Sequence, residues 1–142
     1  MMREILFRGK RVDNDEWVYG FLICMNYIDV WEQKVCYDGQ EEIKYCTTKS
    51  YQVKPETVSQ FTGLTDKNGE KIFEGDIIIC RKEINGNFID EHIVKGFVEF
   101  KYGAFGLHRK QGFYRTFKDW LEDYEYEVIG NNQDNPELLE KL

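Results

Sequence analysis

Residues 61–79 read FTGLTDKNGEKIFEGDIII, and this stretch decides the fold. An extended run (61–65) meets Asp66-Lys67-Asn68-Gly69, leaves through Lys71-Ile72-Phe73, turns again at Glu74-Gly75-Asp76 and enters Ile77-Ile78-Ile79. Asn-Gly is a strong hairpin signal because both residues tolerate positive φ. Gly63 and Gly75 permit unusual backbone angles, and Asp76 suits an Asx-turn that binds turn N–H groups. Short strands broken by tight glycine turns predict a small, strongly bent β-barrel rather than an open sheet.

The rest of the chain agrees with a β-rich reading. Its 142 residues fit one domain or two small lobes. Ile, Val, Leu and Phe make up 39 of these, enough for a real core. Alanine occurs once, at Ala104, against 27 β-branched residues and 22 aromatics. Such stiff side chains suit a pleated surface, and the scarcity of helix formers excludes a helical bundle or coiled coil.

Outward from the central stretch, residues 4–8 predict a first strand ended at Gly9-Lys10, followed by a turn at 12–15. Residues 17–24 are apolar on both alternating faces, which predicts a strand buried on both sides with Gly20 at a bend or close approach. Strand-like runs on either side of Asp38-Gly39-Gln40 predict a hairpin between residues 26 and 54. Residues 81–91 predict an exposed loop. Residues 93–102 alternate, with Val94, Val98, Phe100 and Tyr102 on one side and Lys95, Glu99 and Lys101 on the other, accompanied by Phe97. Gly103 breaks the run, and residues 104–109 return as its hairpin partner.

Phe117, Trp120, Leu121 and Tyr124 fall at i, i+3, i+4 and i+7, and Thr116 with Asp119 approximates a capping box, which predicts about two turns of helix. Residues 126–129 predict a closing strand. Asn135 as a cap and Pro136 at the first helical position predict a short helix through residue 141.

Three segments carry a family resemblance. Residues 61–78, FTGLTDKNGEKIFEGDII, look like the hallmark of the YopX family of phage and prophage proteins. The N-terminal MREILFRGKRVDNDEWVYG (2–20) and the C-terminal EVIGN (127–131) with DNPELL (134–139) resemble the family's two ends. The resemblance implies an SH3-like barrel in the C-terminal part and carries no activity, cofactor or catalytic residue to transfer. The expected architecture is therefore mainly β: an N-terminal β lobe over residues 1–57, an SH3-like barrel over 58–142, and one or two short helices, the whole forming one compact unit.

The chemistry-bearing residues point away from catalysis. No nucleophile-elbow, zinc-protease or phosphate-loop pattern occurs. His92 and His108 stand alone in their local sequence, so each reads as an ordinary surface or strand histidine, although His108 beside carboxylates in a deep pocket would favour a small hydrolase. Cys24, Cys36, Cys46 and Cys80 show no Cys-x-x-Cys spacing, which predicts four reduced thiols and no metal. Cys24 and Cys80 each end an apolar run, which predicts burial for both. Residues 66–69 lack the ligands of a calcium loop.

The formal charge of −7 opposes bulk binding to nucleic acid or an acidic membrane. With no long apolar run and an N-terminus interrupted by charges, the chain reads as soluble and cytoplasmic, in a bacterial host cell on the family resemblance. One region departs from the overall charge. Residues 95–118 carry net +5 and residues 119–142 net −7. Lys95, Lys101, Arg109, Lys110 and Arg115 are interleaved with aromatics, as in single-strand nucleic-acid binders, so they are the candidate binding residues. Alternate aromatics forming core beneath a solvated basic face account for the same pattern. The resulting expectation is a non-catalytic phage or prophage accessory protein without cofactor, acting by protein binding or self-association. The 15% aromatic content is more than a small barrel readily buries, which favours an oligomer. Weak nucleic-acid binding is the alternative.

Overall fold

The computed structural model describes residues 2–88, 93–109, 114–120 and 123–142, with the backbone alone at Trp120. His92, Lys110 and Leu121, singled out in the sequence, lie outside the described residues. The protein is mainly β, in two compact units, Met1–Gln60 and Phe61–Leu142. Among the described residues no helix is long and apolar enough to cross a membrane.

The first unit holds β1 (Phe7–Lys10), β2 (Trp17–Ile23), β3 (Tyr27–Asp38) and β4 (Glu41–Gln52), hydrogen-bonded in the order β4-β3-β2-β1. A single 3₁₀ turn, Pro55–Thr57, then leads into β5 (Ser59–Thr65), whose first two residues pair with β1. Gly9 and Lys10 are part of β1, opposite Val18 and Trp17, and do not form the expected turn. Gly9 is a packing residue, since a Cβ there would meet Val53 at 3.0 Å. Val53 and Ile28 are fully buried beneath it. Gly20 is the predicted close approach: a Cβ would lie 2.1 Å from the Asp29 carbonyl oxygen.

In the second unit the rest of β5 pairs with β6 (Lys71–Phe73). A larger sheet orders β11 (Tyr114–Thr116), β10 (Ala104–His108), β9 (Val94–Lys101), β7 (Asp76–Ile84) and β12 (Tyr124–Asn131), with β8 (Asn87–Phe88) folded onto β7. Among the described residues no ladder joins β11 to β12, so the sheet stays open where a barrel would close. Its core gathers Ile72, Ile78, Cys80, Val94, Val98, Leu107 and Phe117.

The hallmark stretch folds as its turn residues dictate. Gly69 and Gly75 both have φ of 80°. Asp66 Oδ1 accepts the N–H groups of Asn68 at 2.8 Å and Glu70 at 2.9 Å. Asp76 Oδ2 accepts the Phe73 N–H at 2.8 Å. With three hydrogen bonds to backbone, these carboxylates act as turn locks.

Several expectations are corrected. Of the expected loop 81–91, residues 89–91 lie outside the described residues, and 81–88 form a hairpin: β7 continues to Ile84 and turns through Asn85-Gly86, φ 53° and 80°, into β8. Positive φ at both central residues is what a two-residue hairpin turn requires; at 68–69 Gly69 alone has it, within a five-residue turn between β5 and β6. The helix α1 is described over Phe117–Trp120, and Tyr124, expected on its apolar face, pairs with Lys82 in β12. Its cap forms, with the Asp119 N–H donating to Thr116 Oγ1 at 3.1 Å. In α2 (Pro136–Leu139) Asn135 makes no side-chain cap; its Oδ1 turns back to the Asn131 N–H at 3.2 Å.

Candidate interaction surface

The predicted hairpin around Gly39 is the most prominent feature of the first unit. Its strands pair over twelve positions without interruption, from Tyr27↔Gln52 to Asp38↔Glu41. At about 3.4 Å per residue that is roughly 40 Å of two-stranded ribbon. Gly39, at φ 65°, makes the turn. Beyond the base of the ribbon nearly every side chain on both strands is exposed.

Cross-strand register assigns the faces. Phe21 pairs with Asp29 and Ile23 with Tyr27, so odd-numbered residues of β2 and β3 share one face. On it lie Tyr19, Phe21, Ile23, Tyr27, Trp31, Val35 and Tyr37, all exposed, with Trp31 at 57% and Tyr37 at 71%. Phe21 and Trp31 meet edge to face, ring centroids 5.9 Å apart. On the opposite face the base is core, carrying Gly20 and Ile28, while the tip shows Tyr45 opposite Lys34 and Ile43 opposite Cys36, again exposed. The ribbon's ion pairs, Lys34–Glu32 at 3.9 Å and Lys44–Glu42 at 3.3 Å, join neighbours on one strand and stabilise it little.

This overturns the expectation that residues 17–24 are buried on both sides. Phe21 and Ile23 are about half exposed, and Cys24 sits exposed in the β2–β3 turn at φ 58°. Cys36 and Cys46 are exposed as well, and Cys80 alone is buried, its thiol pushed up to about 12 by burial. The hairpin was legible, yet its exposure was not. The available signal was length: alternating apolar residues extend further on either side of Gly39 than a small barrel strand needs.

The basic candidates do not converge on one face. Lys95 and Lys101 lie on the outer face of β9 with Phe97 and Glu99, as alternation predicts. Arg115 pairs with Leu107, which pairs with buried Val98, so it belongs to the opposite face. Arg109 follows the end of β10. Phe97 stacks on His108 at 4.9 Å, Lys101 Nζ sits 5.3 Å over the Tyr102 ring, and the Tyr114 hydroxyl donates to the Ala104 carbonyl. Burial is the main reason the Tyr114 phenol is raised. Phe100 and Tyr102 project to solvent at the β9–β10 turn, contrary to their expected inward side.

His108 is not alone once the chain folds. Its Nδ1 lies 2.9 Å from Glu99 Oε2, a pair that cross-strand register brings together. A cleft of about 420 Å³ lined by Leu64, Phe105, Phe117 and Tyr126, with Thr62, Ala104, Thr116, Lys118 and Asp119, does not include it. A second cleft, of about 250 Å³, is lined by Glu74, Gly75, Phe97, Val98, Glu99, Phe100 and Asn132 and so takes in Glu99 without His108. Among the described residues no group of three or more His, Cys, Asp or Glu is placed to hold a metal.

The family described as YopX protein matches residues 6–140. No curated protein matches. A crystal structure of protein EF1440 from Enterococcus faecalis is similar over 97% of this chain and 99% of that chain, with 22% identity and a TM-score of 0.55. At that identity the likeness shows the fold alone.

Proposed function

The chain belongs to the YopX protein family, and from that premise we propose that it is a non-catalytic phage or prophage protein that binds another protein through its β3–β4 hairpin. The supporting observation is the exposed apolar row on β2 and β3, from Ile23 and Phe21 through Trp31 to Tyr37. A two-stranded ribbon is marginal in water without packing, and large contiguous apolar patches mark interaction sites. Aromatic anchors such as Trp31 and Tyr37 are the residue types that dominate protein interfaces.

In this reading the second unit, with its short strands and two-residue turns, is an open relative of an SH3-type barrel that serves as scaffold. The protein acts in the bacterial cytoplasm and requires no cofactor.

A photo-crosslinking residue placed at Tyr37, in cells that express the full chain, tests the proposal. Protein adducts at Tyr37, and none at exposed Glu137 on α2, support it. Absence of adducts at Tyr37, or equal adducts at both positions, overturns it.

A further inference from the structure

The ribbon has a free edge as well as an exposed face. β4 ends the order β4-β3-β2-β1, and among the described residues no backbone group outside its ladder pairs with residues 41–50. Natural sheets shorten such an edge, bend it with a bulge or interrupt it with proline, because it templates the addition of another strand. β4 is twelve residues long, contains no proline, and keeps an unbroken register against β3.

We propose that a second copy of this chain occupies the edge, its β4 adding antiparallel to β4 across a two-fold axis normal to the sheet. The inference rests on the protein-binding reading above and names the partner. An isologous contact is the common form of homodimer, and strand addition supplies its backbone hydrogen bonds.

Charge and the length of overlap together select the register. A two-fold axis normal to the sheet keeps each face on the same side, so residues facing one another must have the same parity. The axis therefore passes through a residue of β4. With the axis at Tyr45, Glu41 faces Lys49 of the second copy and Lys49 faces its Glu41. Lys44 then faces Cys46, Glu42 faces Thr48, Ile43 faces Thr47, and the two Tyr45 rings lie together. With the axis at Cys46, Thr47 or Thr48, no residue faces an opposite charge, and with the axis at Lys44 that residue faces itself. With the axis at Ile43, Glu42 faces Lys44, but only residues 41–45 of β4 overlap, against 41–49 with the axis at Tyr45. Glu41 and Lys49, which would keep a neutral strand away, thus become specific for a copy of the same strand.

Sedimentation equilibrium of the full chain at low salt, with charge exchange, tests this. Wild type is expected at twice 17.0 kDa. Glu41→Lys alone and Lys49→Glu alone each place like charges opposite and are expected to raise the dissociation constant about tenfold. The double variant Glu41→Lys/Lys49→Glu restores the pairs and is expected to return close to the wild-type value. These exposed positions leave the core untouched. A monomer at every concentration overturns the proposal, as does a dimer that the single changes leave unaltered or the double change fails to restore. If the chain is a monomer while Tyr37 adducts carry a different protein, the second copy is wrong and hairpin docking stands. If Tyr37 gives no adduct either, both are wrong.

Discussion

Asp66 and Val128 are bonded across the second unit: the Asp66 Oδ2 accepts the Val128 N–H at 3.1 Å while Oδ1 closes the turn at Asn68 and Glu70. A neighbouring bond, from the Lys67 N–H to the Tyr126 carbonyl at 2.9 Å, reinforces the attachment of the 66–69 turn to β12. One buried carboxylate thus shapes a hairpin and fixes it to a strand 62 positions away. The hallmark residues hold structure, which explains why a pattern rich in turn residues carries no catalytic signature. Asp66→Ala leaves these three N–H donors without their acceptor and is expected to cost about 1–3 kcal/mol. Urea denaturation measures it, and a wild-type midpoint would contradict the turn-lock role.

The same turn is tied down by charge. Glu127 accepts from Lys67 Nζ at 2.9 Å and Arg81 at 2.8 Å, and these bonds, Lys67's first, hold its carboxyl below the ordinary value of 4.5. A depressed folded value means that the contribution is present above the unfolded carboxyl range and is lost as pH falls through the folded value. Melting temperatures of wild type and Glu127→Gln should therefore differ most near neutral pH and converge in acid. A gap that widens on acidification would contradict the assignment.

Thiol reactivity separates the buried cysteine from the exposed ones. With its thiol raised to about 12, Cys80 is almost wholly protonated at neutral pH as well as shielded. In the native protein a thiol reagent is expected to modify Cys24, Cys36 and Cys46 promptly and Cys80 only after denaturant is added. Mass spectrometry of the labelled peptides reads this directly. Prompt labelling of Cys80 would contradict its place in the core.

How far the sequence revealed this fold depends on which interactions decide each element. Backbone-driven features were legible: Asn68-Gly69 turned, residues around Gly39 formed a hairpin, and Thr116 capped α1. Features decided by a neighbour were not. Phe21 and Ile23 read as buried because an apolar run records an affinity for packing without saying whether this chain supplies the packing. Tyr124 continued a helical spacing, but it pairs with Lys82 in a long β7–β12 ladder. Arg115 joined a basic run in sequence, and a register with Leu107 placed it on the other face. Residues 81–91 read as an exposed loop, although Asn85-Gly86 within them has the chemistry of a hairpin turn.

That separation of faces bears on nucleic acid. Lys95 and Lys101 share an outer face with the acidic Glu99, while Arg115 lies across the sheet. Two phosphate contacts by that face would give a salt slope of about −1.4 for a single strand. Fluorescence anisotropy with single-stranded oligonucleotides should show at most weak binding at low salt and none at physiological salt. Tight binding at physiological salt that Lys95→Glu/Lys101→Glu abolishes would replace protein docking with nucleic-acid recognition.

Amide hydrogen exchange across β4, recorded before and after a large dilution, tests the central claim most directly. Among the described residues the amides that point away from β3 within residues 41–49 have no backbone partner. Strand addition should protect them at high concentration and release them on dilution, while amides facing β3 keep their protection. Rapid exchange of the outer amides at both concentrations would contradict the pairing of β4 with a second copy.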